Sequence, residues 1–168
     1  MTVRQVEFDF AAALIAGLTA GIAMSTVRAT IRAAGVPLRL DVVRVWGAVL
    51  GRSGSTGLWA GLVAHLAVSA AVGLVYALAF DLLAAAESLW LWGVIGGVIH
   101  YLVGGAALGL IRGIQPGVPA RRTPPGPYAR RLGMPDAAAF LAAHLAFGLV
   151  FALAYGFLHP AAGAASVV

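Results

Sequence analysis

Four long apolar stretches constrain this chain more than any other feature. They run near Phe10–Ala34, Gly57–Phe80, Ser88–Ile111 and Ala137–Leu158. At about 1.5 Å of helical rise per residue, each is long enough to cross the ~30 Å hydrocarbon core of a bilayer. A backbone inside lipid must satisfy its own hydrogen bonds, so these runs predict α-helices. Composition points the same way: 61% of the chain is hydrophobic and 10% charged, against roughly 45–50% and 25% in soluble domains. So small a soluble domain would leave much of that apolar surface in water.

The first stretch is apolar only to Val27. Arg28 and Arg32 are then expected to snorkel from a helix running to Gly35, with Pro37 stopping it. Its leader carries Arg4 against Glu7 and Asp9, which is not the positive n-region of a signal peptide, so it reads as a span.

Charge orients the spans. Arg28, Arg32, Arg39, Arg44 and Arg52 lie between the first and second. Arg112, Arg121, Arg122, Arg130 and Arg131 lie between the third and fourth, whereas the second-to-third connection has only Asp81 and Glu87. The positive-inside rule makes the arginine side cytoplasmic. The expectation is a multi-pass protein of a bacterial-type inner membrane with both termini outside and these arginines at anionic lipid headgroups, each contributing about 1 kcal/mol. Trp59, Trp90 and Trp92 fall where interfacial belts belong. The net charge of +5 does not imply nucleic acid, because no basic patch is interleaved with aromatics.

The two arginine-rich loops differ. Residues Pro37–Gly51 predict a short interfacial amphipathic helix with Leu40, Val43, Trp46 and Leu50 on its apolar side. Gln115–Pro135 holds six prolines in 21 residues and predicts an extended, mobile linker.

An internal echo is also present. Ala64-His65-Leu66-Ala67 recurs as Ala143-His144-Leu145-Ala146, and Gly73–Phe80 (GLVYALAF) as Gly148–Tyr155 (GLVFALAY). The predicted fold is therefore all-α, a single integral membrane domain over residues 1–168. Its four-transmembrane-helix bundle consists of two repeated helical hairpins related by a pseudo-twofold axis along the membrane normal.

Small residues at four-residue spacing mark the faces on which helices pack in lipid. They are Ala13, Gly17, Gly21 and Ser25; Gly61, Ser69, Gly73 and Ala77 with His65; Gly93, Gly97, Gly105, Gly109 and Gly113; and Gly148, Ala152 and Gly156 with His144. His65, His100 and His144 should point inward at one depth. They are candidate cofactor ligands. Three readings are open: hydrogen bonds that fix helix register, a bis-histidine haem or metal between the second and fourth helices, or a pocket for a quinone or other small ligand. His159 should cap the outer end.

The chain lacks cysteine, which excludes disulfides, thiolate metal sites and cysteine nucleophiles. The central part of each span carries no acid, lysine or arginine, which disfavours ion-coupled transport. There is no Ser/His/Asp set, HExxH or carboxylate pair of the kind hydrolysis or di-iron chemistry needs.

The pattern of Gly17–Met24 (GLTAGIAM), Pro37–Leu50 (PLRLDVVRVWGAVL), the histidine-bearing second helix and Ala143–Tyr155 (AHLAFGLVFALAY) resembles small four-helix bacterial inner-membrane proteins of a domain-of-unknown-function family. That resemblance implies a fold and a location, and no activity. The expected role is a non-catalytic accessory or scaffold subunit, with other membrane subunits or further copies of itself as partners. The alternatives are a haem, metal or quinone module and a small permease or channel.

Overall fold

A computed structural model describes residues 8–83, 88–111 and 124–159. Five α-helices follow in order: α1 (Phe10–Ala33), α2 (Val42–Val49), α3 (Gly54–Leu82), α4 (Leu89–Leu110) and α5 (Met134–Leu158). A short 3-10 turn, Pro127–Leu132, precedes α5. The described residues contain no strand. The all-α expectation is met, and α1, α3, α4 and α5 are each long and apolar enough to cross a membrane.

Local chemistry sets the boundaries. Asp9 caps α1 by accepting from the Ala12 amide at 2.9 Å, and Gly35 ends it in a left-handed conformation at φ +87°. Asp41 caps α2 in the same manner through the Arg44 amide. Pro135 sits in the first turn of α5, where its missing N–H costs nothing.

The long helices α1, α3, α4 and α5 run up and down, so the described arginines gather at one end of the bundle. α1 packs on α3 and on α5, and α5 packs on α4, whereas α3 and α4 barely meet. Glycine makes the close seams. A Cβ added at Gly17 would lie 2.7 Å from the Ser69 carbonyl oxygen, and one at Gly73 would lie 2.6 Å from that of Ala13. Gly93 and Gly148 press on each other's carbonyl oxygens in the same way between α4 and α5. These seams match the glycine stripes in the sequence.

Between the seams lies an aromatic core. Tyr76 and Phe80 of α3 meet Phe147, Phe151 and Tyr155 of α5, with Tyr76 and Phe151 centroids 5.1 Å apart. Ala12, Ala13, Ala16 and Ala20 of α1 join this cluster and let α1 lie close to α5. Large apolar side chains, Ile22, Val63, Val75 and Val103 among them, point outward.

Three expectations need correction. First, Gly105 and Gly109 do not serve a helix–helix seam; they accommodate the ring of Tyr128 and the ring of Pro127. Second, the described part of the proline-rich segment is a packed element and not an extended linker. Pro125, Gly126 and Ala129 are buried, and Tyr128 and Ala129 adopt left-handed conformations at φ 57° and 58°, a costly geometry for residues with a Cβ. Residues 115–123 of that segment, and Gly113, lie outside the described residues. Third, the interfacial helix is only eight residues long and uses its expected face only in part: Leu40 before it is buried, and Val43 and Trp46 are half-buried. Leu50 is exposed whereas Gly47 and Ala48 are buried. Gly57 and Gly61 of α3 lack side chains, so α2 approaches with the backbone of Val43 and Gly47. Close backbone contact wins over the largest apolar side chains.

These seams make a graded prediction. Gly148→Ala, which drives a methyl into the Gly93 carbonyl, should destabilise the bundle by about 1–3 kcal/mol. Gly156→Ala, whose Cβ meets only the end of Leu89, should stay within about 1 kcal/mol of the parent. Reversible unfolding in mixed detergent micelles reads both, and equal losses would refute the seam assignment.

Candidate functional site

Polar residues form two groups inside the bundle. The first closes the arginine-rich end. Asp136, on the first turn of α5, is 1% exposed and accepts hydrogen bonds from the amides of Arg39 and Leu40 at 2.9–3.1 Å. Its Oδ1 also lies 3.6 Å from Nη2 of Arg28, a buried ion pair. Arg28 and Arg32 both donate to the Leu40 carbonyl, at 2.7 and 2.6 Å. The extended segment before α2 is thereby clamped across the mouth between α1 and α5.

Arg28 therefore departs from its expected place at lipid headgroups. It is 5% exposed and turned inward, because a carboxylate and a free carbonyl lie within reach there and an unpaired buried carboxylate is too costly to leave. Arg32, Arg39, Arg44, Arg52, Arg130 and Arg131 are exposed at the same end. Arg44 pairs with Asp41, and Arg130 lies over the Tyr128 ring at 5.5 Å. Arg112, Arg121 and Arg122 lie outside the described residues. The sequence reading missed Asp136. The available signal was that only Asp41 and Asp136, of six acids, fall on the side crowded with arginine.

The second group contains the histidines, deeper in the bundle. His144 of α5 donates from Nδ1 to the Phe140 carbonyl of its own helix at 2.6 Å. A carbonyl only accepts, so in the neutral ring Nε2 keeps the lone pair; it faces the backbone of α4 near Gly104. His100 of α4 meets His144 edge to face with centroids 4.7 Å apart, and Phe147 at 5.0 Å. His65 of α3 sits in the α1 seam, its Nε2 3.1 Å from Ser25 Oγ and 3.3 Å from the Gly21 carbonyl.

The structure thus brings His100 and His144 together and holds His65 apart in a neighbouring seam. The pair expected to flank a haem or metal, His65 and His144, lies in two different seams, one against α1 and the other against α4. Among the described residues no three histidine or acidic side chains converge as a metal would require. His159 stacks on Tyr155 at the far end. Tyr155 in turn accepts a hydrogen bond from the Asp9 amide.

Three buried polar atoms among the described residues have no hydrogen-bond partner: Arg28 Nη1, Tyr76 OH and His100 Nδ1. Such atoms are rare in folded proteins, and each costs about 1–3 kcal/mol. Tyr76 and His100 are neighbours, with ring centroids 6.3 Å apart.

The clamp predicts strong coupling. Asp136→Ala, which leaves Arg28 buried and two amides unanswered, should cost about 3–5 kcal/mol of stability. Combining it with Arg28→Leu should cost less than the sum of the single changes, because neither charge is then stranded. A double-mutant cycle by detergent unfolding measures this, and strict additivity would show that the pair does not interact. No protein-family profile, curated protein or solved structure matches the chain.

Proposed function

We propose that this is a multi-pass integral membrane protein, built from two repeated hairpins, that serves as a non-catalytic accessory or scaffold subunit. One observation carries the reading: most of the side chains able to do chemistry, Asp136, His65 and His144 among them, hold the bundle together. Asp136 binds the segment before α2, His65 binds α1, and the Nδ1 proton of His144 binds its own helix. The half of the bundle away from the arginines is filled with Phe147, Phe151 and Tyr155, each fully buried. That solid packing weighs against a pore.

Residues equivalent in the sequence repeat meet across the middle, which supports two related hairpins. Tyr76 packs on Phe151, and Phe80 on Tyr155, as expected for positions flanking a twofold axis. Gly17 on Gly73 and Gly93 on Gly148 form matching seams within the two hairpins. The symmetry is broken at the outer pairs. α1 offers Ala16 and Ala20 towards the core, where α4 has Trp92 and Gly96 with Tyr76 wedged against it.

The basic end suits the cytoplasmic leaflet, where exposed Arg39, Arg44, Arg130 and Arg131 would meet anionic headgroups. A lipid-facing wall of Ile, Leu and Val leaves room for partner subunits along α3 and α4, the less covered helices.

Two measurements test the proposal. The chain has no cysteine, so Ser53→Cys and Ser88→Cys each give a single label. An impermeant maleimide should reach residue 88 in intact cells and residue 53 only after lysis. Labelling of both from one side would overturn the topology. In a mild detergent extract, the tagged protein should migrate as an assembly well above its own 17.1 kDa. A strictly monomeric species would overturn the subunit role.

A further inference from the structure

We propose that the seam between α3 and α4 binds a membrane-soluble, planar, neutral ligand with carbonyl acceptors, the quinone class, through Tyr76 and His100.

The seam differs from the others in the bundle. Glycine joins α1 to α3 and α4 to α5 by backbone contact, whereas α3 and α4 meet sparsely and are held apart by the Tyr76 ring lying on Gly96. Moving that ring would break no glycine seam. The Tyr76 hydroxyl and His100 Nδ1 are both buried without partners, on adjacent rings. Packing does not need the hydroxyl, because at the repeat-equivalent position Phe151 fills the same role from α5 without one. A polar atom that the fold does not use, at 6% residue exposure, points to a partner from outside the chain.

The surroundings define that partner's chemistry. The Tyr76 O–H is a neutral donor, and His100 Nδ1 is a second one in the Nδ1–H tautomer that a carbonyl acceptor would select, so the pair suits two carbonyl oxygens. Phe147 and Phe151 pack edge to face with the Tyr76 ring, and Phe147 also with His100, so the groups around the two polar atoms are aromatic and suit a planar ring. The Arg28 guanidinium is paired with Asp136 at the mouth, and the polar groups of the seam itself are a phenol and an imidazole, which favour a neutral head over a carboxylate or phosphate. With the mouth clamped, entry is sideways between α3 and α4, the route open to a molecule dissolved in lipid. The site is independent of the subunit role: a monomer could bind, and an assembly could persist without binding.

The probe is decylubiquinone, titrated into the full chain in nanodiscs while tryptophan fluorescence is read; Trp92 of α4 packs against the same core. Saturable quenching at one site per chain is expected. Tyr76→Phe should weaken it about tenfold, the loss of one buried hydrogen bond, without lowering thermal stability. Tyr155→Phe, an aromatic hydroxyl elsewhere, should bind as the parent does. His100→Asn, which keeps a donor near Nδ1, should bind more tightly than His100→Phe. Quenching that only rises linearly with quinone in the lipid, as for partition or a seam holding just water, overturns the proposal. So does saturable quenching that Tyr76→Phe leaves unchanged.

Discussion

The Asp136 carboxylate is the interaction on which the rest of the arginine-rich end depends. Buried with almost no exposure, it must find charge and donors, and it finds the Arg28 guanidinium and the amides of Arg39 and Leu40. That choice draws the segment after α1 over the mouth of the bundle. The Leu40 carbonyl is then the acceptor for Arg28 and Arg32. With the segment fixed, α2 is delivered to the glycine face of α3, where the Gly47 and Gly61 backbones touch. One carboxylate thus links α1, α5 and, through the chain, α2 and α3.

Elsewhere the shape follows from where backbones may approach. Glycine pairs bring α1 against α3 and α4 against α5, and alanine brings α1 against α5. Between α3 and α4 a large side chain, Tyr76, stands in the gap, as the aromatic cluster does between α3 and α5. The bundle thereby has a seam between α3 and α4 that no glycine pair closes. The polar atoms of Tyr76 and His100 lie in that seam, and its weakness is what gives a ligand site there a means of entry.

Much of this was legible in the sequence because it is periodic. Helix positions follow from apolar length, and most glycine contacts follow from four-residue spacing, since Gly17, Gly73, Gly93 and Gly148 fall where the stripes put them. The remainder depends on contacts between segments far apart in the chain, which no local pattern encodes. Asp136 resembles an ordinary first-turn acid beside a helix dipole. Its partners at Arg39 and Leu40 are backbone amides, which carry no sequence signature. Gly105 and Gly109 keep the expected spacing, yet they receive Tyr128 and Pro127, because the left-handed turn at Tyr128 and Ala129 folds a proline-rich stretch back onto α4. Spacing shows that a face is small; it does not show what will fill it.

The most direct test of the clamp is amide hydrogen exchange at Arg39 and Leu40 in a bilayer. Both amides lie outside any helix, at the polar end of the bundle, where an unrestrained segment would exchange within seconds. If Asp136 holds them, they should exchange as slowly as the helical amides around Phe140, and Asp136→Asn should speed both selectively. Fast exchange in the parent protein would contradict the account.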